Sequence, residues 1–151
     1  MPDLLSAVGG LKGVFDTFQK LVEHDRQRWD RVATYFTDIS QCLTGMARSF
    51  ENSDIPYEDG NALKVHIGTF EPIAHTIYSK KYPEERKTVE ELITALRDLA
   101  GAATIMDTIM LLEESKRSVS ADQKRKEIIR ELKRTSGRLK GLASAIRAED
   151  I

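Results

Sequence analysis

The sequence has a single cysteine, Cys42, so no internal disulfide can form. Because Cys42 adjoins apolar Leu43, we expect a buried, unreactive thiol and a reducing, intracellular setting. The chain lacks any apolar run of about 18 residues, which argues against a helix that permanently spans a bilayer. Its amino terminus carries Asp3 in place of basic residues, so we expect no secretory signal.

Glycine, proline and aromatic residues are also scarce, with 9 Gly, 4 Pro and 7% aromatics. This composition differs from that of disordered and low-complexity chains. With 40% hydrophobic residues over 151 positions, the chain is long enough to bury a core without the help of metals or disulfides. We therefore expect one domain over residues 1–151.

Patterns that carry catalysis are missing as well. His24, His66 and His75 share no metal-ligand spacing with one another or with Cys42. The Glu-x-x-His pairs of di-iron bundles are absent, and "GGLKG" lacks the spacing of a phosphate-binding loop. The sequence predicts a protein that is not an enzyme and has no cofactor and no metal.

Charge is divided unevenly along the chain. Residues 1–115 hold 12 basic and 19 acidic side chains, whereas residues 116–151 hold 11 basic and 5 acidic ones. The basic quarter could pair with acidic neighbours such as Glu90, Glu91 and Asp98, or it could contact anionic phospholipid. Nucleic acid is not an expected partner, because interleaved aromatics and binding motifs are absent. The candidate lipid contacts are Lys124, Arg125, Arg130, Lys133, Arg134 and Arg138.

Large apolar residues recur every three or four positions from Leu4 to Phe50, with one interruption at Asp25. This heptad seam predicts one long helix over about 3–51, with a kink near 23–27 as the alternative. Apolar periodicity predicts three more helices, at about 57–80, 84–115 and 121–148. Ser120 and Gln123 suggest a capping box at the start of the last helix. Together they predict an all-α, antiparallel four-helix bundle, past which residues 1–22 would project or across which they would fold back.

The first helix is amphipathic and rich in glycine. Its apolar face is too large to leave in water, so the bundle itself, another copy or lipid must cover it. Gly9, Gly10 and Gly13 weaken the helix but permit close helix contact. We name these three the close-contact glycines. The residues predicted for membrane insertion or oligomerisation are Leu4, Leu5, Val8, Leu11, Val14, Phe15 and Phe18.

The glycine-bearing apolar segment "LLSAVGGLKGVFDTF", followed by the charged heptad helix "RQRWDRVATYFTDISQCL", resembles helical cell-death executioner domains. These include fungal HeLo domains, the four-helix bundle of the mixed-lineage kinase-like pseudokinase, plant resistance-type coiled coils and bacterial Bell domains. The resemblance implies that the first helix enters a membrane after oligomerisation driven by attached modules. No sensor or nucleotide-binding domain is recognisable in this chain, so it would be an effector domain of a larger protein or system.

Two functional hypotheses follow. The first is a membrane-targeting, lesion-forming effector of bacterial defence or immunity, which would be cytoplasmic and move to the inner face of the membrane on activation. Its partners would be anionic phospholipid and other copies of itself, with an upstream sensor unidentified. The alternative is a non-enzymatic interaction or adaptor module that uses its heptad seam for homo- or hetero-oligomerisation.

Overall fold

The computed structural model describes residues 4–24, 27–77, 83–102 and 106–148. These residues form helices and short turns and contain no strand, which confirms the all-α class. The helices are α1 (Leu4–His24), a 3-10 helix (Gln27–Val32), α2 (Ala33–Glu51), α3 (Tyr57–Ile77), α4 (Pro83–Ala102), α5 (Met106–Ser115) and α6 (Val119–Ala148).

The predicted long first helix is divided. α1 ends at His24 and α2 begins at Ala33, with the 3-10 helix between them. That helix repeats every three residues, so Trp29 and Val32 lie on one side of it. Both side chains are fully buried. Because residues 27–32 form a 3-10 helix, the single α-helix over 3–51 is wrong, and the alternative of two helices holds.

The other predicted helices agree more closely. α3 and α6 match the predicted second and last helices to within three residues at each end. The predicted helix over 84–115 contains two described helices, α4 and α5, while residues 103–105 lie outside the described part. At the start of α6 the Ser118 hydroxyl accepts a hydrogen bond from the Ala121 amide at 3.3 Å. Ser118, rather than Ser120, thus caps this helix.

Five long helices surround the core, one more than the sequence predicted. α1 packs against α4 and α6, α2 packs against α3 and α6, and α3 packs against α4, so the five pairings close a ring. The short α5 packs on α6. α2 runs antiparallel to α6, since Ser40 meets Ser136 whereas Phe50 meets Arg125.

An aromatic cluster joins the helices at the centre of the core. The Phe18 ring lies edge-on to Trp29, with centroids 5.3 Å apart, and edge-on to Phe36 at 5.6 Å. Phe36 in turn contacts Phe70 of α3 at 5.7 Å. Edge-to-face pairs of this kind add about 0.5–1.5 kcal/mol each beyond the burial of area. α1 is therefore tied to the 3-10 helix, α2 and α3 through one continuous set of rings.

Candidate interaction surfaces

The predicted insertion face of α1 forms part of the protein's own core. Leu11, Phe15 and Phe18 are fully buried, and Val14 is partly buried against them. α1 does not project from the other helices, because α4 and α6, together with Trp29 and Phe36, cover this apolar face. The side chains of the predicted residues Leu4, Leu5 and Val8 lie outside the described part of the structure.

The rest of the heptad seam is buried in the same way. From Val22 through Trp29 and Phe36 to Phe50, its large side chains are fully buried or nearly so. A partner helix therefore cannot dock on the seam while the domain stays folded. Any association of the folded domain must use its outer surface instead.

The three close-contact glycines lie on the outside of α1. Gly9, Gly10 and Gly13 are exposed, and a Cβ atom added to any of them would meet no atom within 4 Å. No other helix of the domain comes close enough to use their lack of a side chain, although Gly10 borders the groove between α1 and α4. Each glycine still lowers helix stability by about 0.8–1 kcal/mol relative to alanine.

Arg138 of α6 holds the outer side of α1. Its guanidinium donates to the Asp16 carboxylate and to the Gln19 side-chain oxygen at 3.2 Å. The same group lies over the Phe15 ring, 4.7 Å from its centroid, in a cation–π contact. Among the candidate lipid contacts, Arg138 is thus engaged in binding α1.

Other basic residues of α6 also have partners within the protein. Arg125 donates to the Phe50 carbonyl at 2.6 Å and to Asp122 at 2.9 Å. Lys133 lies 2.5 Å from Glu51 of α2. The other candidate positions are Arg134, which pairs with Glu131 at 3.4 Å, Arg130, which is exposed, and Lys124, which is exposed and has an interaction of its own.

These ion pairs use acidic residues other than the expected ones. Arg125, Lys133 and Arg138 bind Asp122, Glu51 and Asp16. Glu90, Glu91 and Asp98 cannot serve, because α1 separates α4 from α6 in the ring. Most of the pairs are at least half exposed on one side, so each contributes at most about 1 kcal/mol.

A hydroxyl cluster joins α2 to α6. Ser40 and Ser136 are buried, with their hydroxyl oxygens 2.8 Å apart, and the Thr44 hydroxyl lies 2.7 Å from that of Ser136. Ser136 also donates to the Ser40 carbonyl at 2.8 Å. Periodicity could not reveal this cluster, because serine carries no apolar signal and the two serines are 96 positions apart.

Replacing Ser136 with Ala is expected to lower the free energy of unfolding by about 1–3 kcal/mol, because the buried Ser40 carbonyl loses its side-chain donor and the Ser40 and Thr44 hydroxyls each lose one contact. The matched control is Ser144→Ala, which changes an exposed serine of the same helix. Urea titrations of both variants measure the difference. Equal midpoints would show that the cluster contributes nothing.

A polar groove of about 590 Å³ lies above this cluster, where α2, α6 and the start of α3 meet. Its rim carries both signs of charge, with Arg48 and Lys140 opposite Glu58 and Asp59. Burial, and then the neighbouring Glu58, raise the pKa of Asp59 above its usual range, although Arg48 lowers it. Because its charges are mixed, this groove favours neither an anion nor a cation.

A second groove of about 420 Å³ runs between α1 and α4. Small residues of both helices line it, namely Ser6, Ala7, Gly10 and Ala95. The rest of its lining consists of Val14, Thr94 and four charged residues, Lys87, Glu90, Glu91 and Asp98. With one basic and three acidic residues in its lining, the groove is net acidic.

The described residues show little sign of reactive chemistry. Cys42 is buried, and burial, together with the nearby Asp59 and Asp38 carboxylates, raises the pKa of its thiol to about 11. No cluster of three or more His, Cys, Asp or Glu side chains in the described ranges could hold a metal ion. Within the same ranges, no helix combines the length and the apolar character needed to cross a membrane.

Comparisons of the chain with protein-family models, with curated proteins and with solved structures give no match.

Proposed function

We propose that this protein is a non-enzymatic helical interaction module that acts by binding another copy of itself or another protein. The observation that carries the proposal is the charge of the outer surface. Exposed residues of α6 include Lys126, Arg130, Lys133, Arg134 and Lys140, and they outnumber the acidic residues of that helix even though Lys126, Lys133 and Arg134 have acidic partners. α4 presents Glu90, Glu91 and Asp98 elsewhere on the ring.

Separated surfaces of opposite charge favour association because they steer partners together and fix their orientation. Such association leaves the core intact. Contacts inside the domain use the heptad seam fully, so this form of the proposal places binding on the outer surface rather than on the seam.

The second candidate is the membrane-active effector, and the exposed glycines of α1 favour it. Gly9, Gly10 and Gly13 weaken α1 without serving any packing role inside the domain. A helix that must leave its bundle benefits from such weakness. Lipid or other copies would then have to cover its apolar face.

Release of α1 is costly, however. Exposing Leu11, Phe15, Phe18 and Val22 requires about 6–12 kcal/mol, at about 1.5–3 kcal/mol for each side chain. That is comparable with the whole stability of an ordinary domain, about 5–15 kcal/mol. Release therefore needs a strong external driving force, whereas association through the outer surface leaves these side chains buried.

Dye release from anionic liposomes, measured beside sedimentation of the lipid-free protein, separates the two candidates. The interaction module is expected to gain mass with concentration and to leave the liposomes sealed. The effector is expected to release dye, and Gly9→Ala with Gly13→Ala should then slow release by stabilising α1 in place. A lipid-dependent leak that these two substitutions slow would overturn the interaction-module proposal.

A further inference from the structure

The groove between α1 and α4 has the shape and charge of a docking site for a basic helix. Its floor is made of small side chains, so another helix backbone can approach closely. Glu91 and Asp98 both line it, seven positions apart on α4. At 1.5 Å per residue, their backbone positions lie about 10.5 Å apart along the helix axis.

The exposed face of α6 matches this groove. Gly137, Gly141 and Ser144 are exposed, and a Cβ atom added to either glycine would meet nothing within 4 Å. Glycines in the interior of a helix each lower its stability by about 1 kcal/mol, and no contact inside the domain accounts for them. Lys133 and Lys140, also seven positions apart, flank this strip, and Lys133 is exposed although it pairs with Glu51 of its own domain.

We propose that α6 of a second copy of this chain docks in the α1–α4 groove, a contact that deepens the proposed function by naming its partner and its surface. The strip of Gly137 and Gly141 faces the small residues of the groove floor. Lys133 and Lys140 lie opposite Glu91 and Asp98, since both pairs have the same spacing. Opposite charges at heptad spacing are the arrangement that sets partner choice and register between paired helices.

The contact joins two different surfaces, so it is head-to-tail. α6 is part of its own core and α1 separates it from α4, hence one chain cannot fill its own groove. Each bound copy leaves one groove and one α6 face open. Association of this kind forms a ring if the rotation closes and a filament if it does not.

Charge reversal tests the contact in solution without lipid. One variant carries Glu91→Lys and Asp98→Lys, and the other carries Lys133→Glu and Lys140→Glu. The control, Glu113→Lys with Glu114→Lys, makes the same change in net charge on α5, where both residues are exposed. Thermal unfolding of each protein is the control for the fold, and all variants are expected to unfold in a single transition, as the wild-type protein does.

Sedimentation velocity is expected to show that the mass of the wild-type protein rises with protein concentration at about 50 mM salt. At about 500 mM salt, where charges are screened beyond about 4 Å, the mass should be lower at the same protein concentration. Each of the two variants alone should stay monomeric, because its groove and its α6 then carry the same sign. An equimolar mixture should regain wild-type mass, since both contacts become complementary again. The control should behave as wild type.

The outcomes separate this surface from the broader function. If both charge-reversal variants associate as strongly as the wild-type protein, the α6–groove contact is wrong. The protein would then still bind itself, but through another surface. Variants that fail to reassociate on mixing would overturn it as well. A wild-type chain that stays monomeric at all concentrations would remove the contact and restrict the interaction module to partners other than itself.

Discussion

Deletion of residues 1–24 is expected to abolish cooperative unfolding. α1 covers one side of the core, where four of its apolar side chains are fully buried, namely those of Leu11, Phe15, Phe18 and Val22. Their loss removes about 6–12 kcal/mol of burial, against a total stability of about 5–15 kcal/mol for an ordinary domain. The same deletion leaves the apolar sides of α4 and α6 open to water.

Circular dichroism during heating measures this effect. The truncated chain should lose helical signal over a broad range in place of a single transition. A synthetic peptide of residues 1–24, added in excess, should restore a transition by occupying the vacant position. A truncated chain that unfolds sharply and without the peptide would show that α1 is dispensable, as a projecting membrane segment would be.

Phe18→Ala is expected to lower the free energy of unfolding by about 3–5 kcal/mol, the range for removing a buried aromatic ring. Phe18 contacts both Trp29 and Phe36, so its loss leaves a cavity where α1, the 3-10 helix and α2 meet. Val14→Ala is the matched control, because Val14 lies one turn away on α1 and is only partly buried.

Urea denaturation compares the two variants. Val14→Ala should lower the free energy of unfolding by no more than about 1.5 kcal/mol, because the Val14 side chain is only partly removed from water on folding. Similar losses for both variants would contradict the central position of Phe18. A small loss at Phe18 would also make release of α1 far easier, and so would strengthen the membrane-active candidate.

Both predictions test whether α1 is a permanent part of the core. Its apolar face, which the sequence marks as needing cover, is covered by the protein itself. The resemblance to cell-death executioner domains therefore remains a proposal that concerns a second state, in which α1 has left this position. The interaction module needs no such second state, and this is why we place it first.

Much of the helical architecture was predictable, because apolar spacing reports local geometry. Periodicity predicted the start of α3 and both ends of α6 to within two residues, although Ser118, and not the predicted Ser120, caps α6. The break between α1 and α2 was only an alternative, since the heptad seam continues through it. Trp29 and Val32 belong to that seam, and a spacing of three residues does not distinguish a 3-10 helix from an α-helix.

The candidate surfaces were less predictable. Arg138 looked like a residue for lipid, yet it binds Asp16, which is 122 positions away. The close-contact glycines suggested a close approach of another helix, and within the domain no helix makes that approach. In each case the residue type indicated an interaction, while the partner depended on which helices became neighbours.

The sequence by itself determined the all-α class, the amphipathic faces and the contrast between an acidic body and a basic last helix, because each of these is written in residue type and spacing. The tertiary structure decided that α1 closes the core, that its glycines point outward, and that an acidic groove and a basic helix lie on different sides of the ring. Those features depend on the order in which five helices pack, and such long-range pairing leaves no periodic trace in the chain.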